Sequence, residues 1–184
     1  QGAVVSGAPS SSAVITGGAS GLGAAFCRRL SSSGRHIVIV DIDGETGEQT
    51  LASLRSSGGS AELAVADVTD EAAMTRVADA LRGRKTRVDM LILCAGDVHV
   101  GALADLPDTR GIRRDIEVDL WGAVLSCRVF LPLLSGGAHI VLISSGFGLM
   151  GAAGYAAYCG AKAGVIAFGD ALRRELLSRR IRVH

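Results

Sequence analysis

The chain has 184 residues, of which 48% are hydrophobic and 20% are charged, and its formal net charge is +1. This length suits one folded domain, and the composition excludes a disordered chain. Because acidic and basic residues are interspersed and nearly cancel, the charge gives no basis for binding nucleic acid or an anionic membrane.

The cysteines and histidines are widely separated along the chain. They are Cys27, Cys94, Cys127 and Cys159, and His36, His99, His139 and His184. No CxxC pair is present and the histidines form no cluster in the sequence, so no metal site is predicted. Reduced, mostly buried thiols are typical of a cytoplasmic protein, which is the predicted location.

The first residues lack the basic start and long apolar run of a signal peptide. We therefore predict a flexible leader over 1–12, followed by a single domain over 13–184. No stretch approaches the roughly 18 uninterrupted apolar residues of a membrane span, so no membrane-spanning helix is predicted.

Short apolar runs alternate with longer amphipathic segments along the rest of the chain. The predicted strands are 13–16, 36–41, 61–67, 88–96, 138–145 and 181–183, and the predicted helices are 22–33, 43–58, 69–84, 108–134 and 155–179. Nearly continuous hydrophobic strands that alternate with helices predict a parallel sheet covered on both faces. The expected fold class is α/β, a doubly wound parallel sheet of the Rossmann type with ligands outside the carboxyl ends of its strands.

A glycine-rich segment, TGGASGLG at 16–23, joins the first predicted strand to the first predicted helix. Gly17 permits a tight turn, and Gly21 and Gly23 let the backbone approach a pyrophosphate at the start of the helix. A purely structural turn is the alternative for such a segment. The position between a strand and a helix, with an acidic residue ending the next strand, favours dinucleotide binding.

That acidic residue is Asp41. A carboxylate at this place hydrogen-bonds a ribose 2′-hydroxyl and repels a 2′-phosphate, and the glycine segment contains no Lys or Arg that would attract one. NAD is therefore the predicted cofactor, in preference to NADP. The alternative for Asp41 is a second helix cap beside Asp43, which is itself a predicted cap.

The segment GYAAYCGAKAG at 154–164 carries one of only two lysines in the chain, Lys162, four residues after Tyr158. On a helix these two side chains share a face. A free tyrosine holds its proton at neutral pH, and a nearby ammonium favours the phenolate that acid–base catalysis needs. Ser145 ends the fifth predicted strand, where its hydroxyl can bond a substrate oxygen, and Tyr155 is predicted to be a wall of the pocket.

Taken together, these residues resemble the short-chain dehydrogenase/reductase family, and the similarity runs from Ala13 to the last residue. Four motifs carry it, in order: 16–23, which is similar to TGxxxGxG; CAG at 94–96, which is similar to NAG; Ser145; and Tyr158 with Lys162. The resemblance implies reversible oxidation of a secondary alcohol to a ketone with a nicotinamide cofactor. It also implies a homodimer or homotetramer in which helices corresponding to about 108–134 and 155–179 pair across two-fold axes.

The resemblance implies roles for named residues. Cofactor contacts are expected from Thr16, Gly17, Ser20, Gly21, Leu22, Gly23, Asp41, Asp67, Val68, Cys94, Ala95, Gly96, Tyr158 and Lys162, and catalytic roles from Ser145, Tyr158, Lys162 and Asp119. No metal is implied.

The chain departs from the family pattern at three places. Cys94 stands where the family usually has Asn, and Asp119 stands where the family's catalytic Asn lies. We expect the charge of Asp119 to pair with Lys162 and to alter the proton relay. The sequence also stops where relatives continue through a substrate-binding segment, so the C-terminal part of the fold is expected to be missing.

Two other functions remain open from the sequence. Asp119 and the short C-terminus favour a non-catalytic dinucleotide-binding or scaffold protein, whereas the Tyr158 and Lys162 pair favours an enzyme. A nucleotide-sugar epimerase or dehydratase fits poorly because its glycine turn is spaced differently. The segment 146–157 predicts a pocket floor of small apolar groups, and His99 is interpreted as a solvated loop residue.

Overall fold

The computed structural model of the chain describes residues 11–184. Most of the predicted leader, residues 1–10, lies outside the described residues. The sheet is six-stranded and entirely parallel, in the order β3-β2-β1-β4-β5-β6. The doubly wound Rossmann fold predicted from the sequence is confirmed.

The strands alternate with helices, as predicted. The strands are β1 (Ser12–Thr16), β2 (His36–Asp41), β3 (Ala61–Val65), β4 (Val88–Leu93), β5 (Leu134–Leu142) and β6 (Arg182–Val183). The helices are α1 (Gly21–Ser31), α2 (Gly44–Ser56), α3 (Glu71–Gly83), α4 (Arg110–Ile116), α5 (Gly122–Phe130) and α6 (Ala156–Glu175). A π-helical turn (Glu117–Trp121) joins α4 to α5, and short 3₁₀ turns follow α5, β5 and α6.

The apolar residues of the strands pack into two cores, one on each face of the sheet. All five residues of β1 are buried, which explains why its three central residues, 13–15, are all apolar and do not alternate with polar ones. Helices α2 and α3 begin at acidic caps, since Asp43 accepts from the Thr46 amide and Asp70 from the Ala73 amide, each at 3.0 Å. The predicted Asp43 cap is confirmed.

The chain crosses from one side of β1 to the other between β3 and β4, so the strand order reverses there. Loops at the carboxyl ends of β1 and β4 then diverge to opposite faces and leave a crevice between them. This crevice is the ligand site expected for the fold. No helix in the described part of the chain is long and apolar enough to span a membrane.

Several predicted boundaries were wrong. The strands predicted over 61–67, 88–96 and 138–145 end at Val65, Leu93 and Leu142, because the backbone leaves its hydrogen-bonded neighbour at the sheet edge. Ser145 therefore does not end β5 but caps the following 3₁₀ turn. The helix predicted over 108–134 is interrupted by the π-helical turn that carries Asp119.

Candidate active site

A cavity of about 520 Å³ opens at the crevice. Most of the predicted site residues line it. They are Gly17, Ser20, Gly21, Leu22, Gly23, Asp41, Asp67, Val68, Cys94, Ala95, Gly96, Asp119, Tyr158 and Lys162. Thr16 and Ser145 are not among the lining residues.

The glycine turn lies directly against the loop after β4. Gly17 has a φ of +65°, and a Cβ atom there would lie 2.7 Å from the Ala95 backbone. A Cβ at Gly23 would lie 2.0 Å from the Gly17 carbonyl oxygen. The first backbone amides of α1 have no acceptors within the helix, and the first turn of α1 contains no acidic side chain. The start of this helix therefore suits an anion.

Asp41 is held by the glycine turn. Its Oδ2 accepts from the Ala19 amide at 2.9 Å and its Oδ1 from the Asp43 amide at 3.0 Å. The cap of α2 is Asp43, so Asp41 is not a second cap of that helix. Asp41 itself is half-buried at the cavity wall. The next residue, Ile42, also lines the cavity and is 59% exposed, and the sequence reasoning did not identify it.

Thr16, for which a cofactor contact is expected, is not among the residues that line the cavity. Its side chain is buried, and its Oγ1 accepts from the amides of Cys94 at 3.2 Å and Ala95 at 3.4 Å. The hydroxyl thus fixes the CAG loop onto β1.

Burial raises the pKa of the Cys94 thiol despite the nearby Lys162 ammonium, so the thiol stays protonated at neutral pH.

Arg114 is a lining residue that sequence reasoning missed. Its guanidinium lies 3.0 Å from Asp67 and 4.0 Å from Asp97. Burial alone would raise the pKa of Asp67, but hydrogen bonds from Thr69 and the Arg114 guanidinium hold it below its usual range. No local motif marks this contact, because the paired residues lie on separate segments.

Lys162 and Tyr158 share one face of α6, as predicted. The Lys162 ammonium lies 5.6 Å from the centre of the Tyr158 ring, and it donates to the Ile143 carbonyl at 3.1 Å. It also lies 2.7 Å from Asp119 Oδ1, so the expected Asp119–Lys162 pairing is present. At this distance the two charged groups form a close ion pair.

The two serines after β5 have different surroundings. Ser144 lines the cavity, but its hydroxyl donates to the Lys162 carbonyl at 2.9 Å. Ser145 Oγ accepts from the Phe147 amide at 3.2 Å. Because Ser145 follows the strand and caps a turn, its hydroxyl is oriented by that turn and not by the sheet edge.

An aromatic group lies beside Tyr158. The Phe147 ring is 5.0 Å from the Tyr155 ring and 6.4 Å from the Tyr158 ring, where the two planes are nearly perpendicular. Tyr155, predicted to be a pocket wall, is not among the residues that line the cavity. Phe147 therefore contacts both tyrosine rings.

His99 is exposed, as expected from the sequence, with 43% of its side chain accessible, but its ring also pairs with a buried carboxylate. Its Nδ1 lies 2.8 Å from Oδ1 of the fully buried Asp115, which also accepts from the His99 amide. With Asp97, these residues form a group of potential metal ligands whose atoms lie within 4.8 Å of one another. The sequence expectation that no histidine joins a ligand cluster is corrected here, although the His99 ring already bonds Asp115.

The chain is similar to known proteins over nearly its whole length. A model of the short chain dehydrogenase family matches residues 11–184. The oxidoreductase SadH of Mycobacterium tuberculosis is 36% identical over 170 residues, which are 91% of this chain and 61% of that protein. The 2,5-dichloro-2,5-cyclohexadiene-1,4-diol dehydrogenase LinX of Sphingobium indicum is 35% identical over 94% of this chain and 69% of its own length.

Solved structures agree with these sequence matches. A short chain dehydrogenase from Burkholderia phymatum in complex with NAD has a TM-score of 0.88 at 28% identity, over 94% of this chain and 63% of that one. One from Burkholderia cenocepacia in complex with NADP has a TM-score of 0.88 at 27% identity, over 94% of this chain and 71% of that one. The chain spans less than two thirds of the length of SadH, and it belongs to the short chain dehydrogenase family.

Proposed function

We propose that the protein is an oxidoreductase that transfers a hydride between NAD(H) and a secondary alcohol or its ketone. The observation that carries this proposal is that Tyr158 and Lys162 line the same cavity as the glycine turn. A Cβ at Gly17 or Gly23 would clash with backbone atoms that surround the turn, so these glycines keep the turn in the tight shape that a dinucleotide fits. When bound, the nicotinamide supplies the hydride acceptor or donor.

In this proposal, Tyr158 exchanges the proton of the substrate oxygen, because it lines the cavity and its ring centre lies 5.6 Å from the Lys162 ammonium. Lys162 favours the phenolate by its charge. Ser145 orients the substrate oxygen: its Oγ accepts from Phe147, which leaves the hydroxyl proton free to donate. The proton of Ser144 is already committed to the Lys162 carbonyl.

The direct test is turnover by the full-length protein. The protein is incubated with NAD and a panel of secondary alcohols. The panel includes ring alcohols, the class in the name of LinX. We expect NADH absorbance to appear and mass spectrometry to detect the matching ketone. Binding of NADH without turnover of any alcohol or ketone would favour the second candidate, a non-catalytic dinucleotide-binding protein, to which the Asp119–Lys162 pair also points.

We further propose that NAD is preferred over NADP by at least about tenfold in Kd, a difference of about 1.4 kcal/mol. The Asp41 carboxylate would face a 2′-phosphate with like charge. Among the cavity-lining residues within 11–184, the cations are Lys162 and Arg114, and Arg114 is paired with Asp67. Asp41→Ala is expected to weaken NAD binding and to narrow the preference, measured by isothermal titration with both cofactors.

A matched control is Asp43→Ala, which removes a neighbouring carboxylate that caps α2 and does not line the cavity. It should cost about 1 kcal/mol of stability through the lost cap and leave the cofactor preference unchanged. Equal affinities of the unmodified protein for NAD and NADP would contradict the assignment of Asp41.

We also propose a homodimer or homotetramer in the cytoplasm. Ile116 ends α4 and Trp121 ends the π-helical turn; they are 48% and 46% exposed, which suits a surface covered by a second copy. Light scattering of the full-length protein at micromolar concentration is expected to give twice or four times the monomer mass. A monomer throughout that range would contradict this proposal.

A further inference from the structure

A buried carboxylate neutralises the lysine of the candidate site. The side chains of Asp119 and Lys162 are 0% and 6% exposed, and their charged atoms lie 2.7 Å apart. Water therefore screens neither charge well, so each acts strongly on nearby groups. The proposed function assigns Lys162 to support the Tyr158 phenolate, and Asp119 opposes that effect.

The fold holds the carboxylate in place from two directions. Asp119 lies on the π-helical turn, a local irregularity that is frequent at functional sites. Its Oδ2 accepts from the Asp97 amide at 3.4 Å. A Cβ at Gly96 would lie 2.8 Å from Asp119 Oδ1 and 3.5 Å from Lys162 Nζ, so only glycine leaves room for this pair.

Of the other groups around the pair, the Asp115 carboxylate adds a like charge that raises the pKa of Asp119. From the loop after β4 come the Cys94 thiol, which is neutral, and the Asp97 carboxylate, which faces Arg114. From the segment after β5 comes the Ile143 carbonyl, and from α6 come Lys162 and Tyr158. One helical turn before Asp119, the Asp115 carboxylate is bonded to His99.

Burial raises the pKa of Asp119 above its ordinary value, and the Lys162 ammonium pulls it back only in part. Above that pKa the carboxylate is ionised and cancels much of the ammonium's field. Below it the carboxyl is neutral and the ammonium acts on Tyr158 unopposed.

We propose that Asp119 is a positioning residue that acts through Lys162 to raise the pH at which Tyr158 gives up its proton. This inference rests on the proposed function only for its kinetic consequence. Removal of the carboxylate charge should leave the ammonium uncompensated, so the Tyr158 phenolate should form at lower pH. The Lys162 ammonium lies 5.6 Å from the Tyr158 ring centre, and a charge within about 4–6 Å of an ionisable group shifts its equilibrium by about one pH unit or more.

The first measurement needs no turnover. The near-UV absorbance of the phenolate is followed against pH in the full-length protein, and the same titration of the matching Tyr158→Phe variant is subtracted to isolate Tyr158. In Asp119→Asn the midpoint is expected to fall by about one pH unit relative to the unmodified protein, with and without NAD. Asp119→Ser, which also removes the charge, is expected to shift the midpoint in the same direction.

The matched control is Asp108→Asn, which removes an exposed carboxylate paired with Arg110 just before α4 and should leave the midpoint in place. The second measurement is the pH profile of kcat/KM for alcohol oxidation, whose acidic limb should move to lower pH in Asp119→Asn by the same amount. A midpoint that is unchanged or higher in both Asp119 variants, or one that moves equally in Asp108→Asn, overturns the inference.

The two proposals fail in different ways. A lowered phenolate midpoint in a protein that oxidises no alcohol supports the inference about Asp119 and contradicts the proposed function. Turnover that depends on Tyr158 but has the same pH profile in Asp119→Asn supports the proposed function and overturns the inference.

Discussion

Replacing Tyr158 with Phe is expected to lower kcat for alcohol oxidation by about 10²- to 10⁴-fold, the usual contribution of general acid–base catalysis. The substitution removes only the hydroxyl. The ring keeps its perpendicular contact with Phe147 at 6.4 Å and its position 5.6 Å from Lys162 Nζ, so the fold of α6 should not change. The Kd for NAD, measured by isothermal titration, is expected to stay within about twofold, a few tenths of a kcal/mol.

The chain offers a close control in Tyr155, three residues earlier, whose ring lies 5.0 Å from the same Phe147 but does not line the cavity. Tyr155→Phe removes an equivalent hydroxyl and should leave kcat close to that of the unmodified protein. If Tyr158→Phe oxidised the same alcohol at the unmodified rate, the proton would have to pass through another group and the proposed mechanism would be wrong.

The fold was predictable because its signals are local. Strands β1, β2 and β4 are built on short apolar runs, and the helices after β2 and β3 begin at Asp43 and Asp70, whose caps need only the next few residues. The position of Asp41 beside the glycine turn followed from the same reasoning, since adjacent parallel strands end at one edge of the sheet.

The ends of the strands were harder to predict, because apolar character continues after the hydrogen bonds stop. Ser145 stands just after the apolar residues of β5, yet it caps a 3₁₀ turn. Thr16 ends β1, and its hydroxyl accepts from backbone amides. The π-helical turn around Asp119 was missed for a similar reason. One extra residue in a helical turn hardly changes the spacing of apolar residues over 108–134.

Partners distant in sequence set the electrostatics of the site. The Asp119–Lys162 pairing could be expected from the resemblance, but its burial and 2.7 Å distance depend on how the π-helical turn packs against α6. The Arg114–Asp67 pair joins α4 to the loop after β3, and no spacing rule connects such residues. Long-range ion pairs of this kind require the assembled fold.

Gly23→Ala is expected to disrupt both stability and cofactor binding. A Cβ at this position would lie 2.0 Å from the Gly17 carbonyl oxygen, 2.7 Å from the Gly17 carbonyl carbon and 3.0 Å from Gly18 Cα. All three atoms belong to the backbone of the turn, so no side chain can rotate away to make room. The turn must separate from α1, and overpacking of this kind costs about 1–3 kcal/mol or more.

Thermal unfolding and isothermal titration with NAD measure the two effects of Gly23→Ala, since each kcal/mol lost corresponds to roughly 2–4 °C in Tm for a domain of this size. NAD affinity should fall at least about tenfold, because a displaced turn moves the free amides of α1 away from the cofactor cradle. Gly83→Ala is the matched control: Gly83 ends α3 with open space around its Cβ position. Alanine is the better helix former by about 1 kcal/mol, so this variant should be at least as stable as the unmodified protein. If Gly23→Ala had the same Tm and the same affinity for NAD as the Gly83→Ala control, the turn would not need the close contact between Gly17 and Gly23.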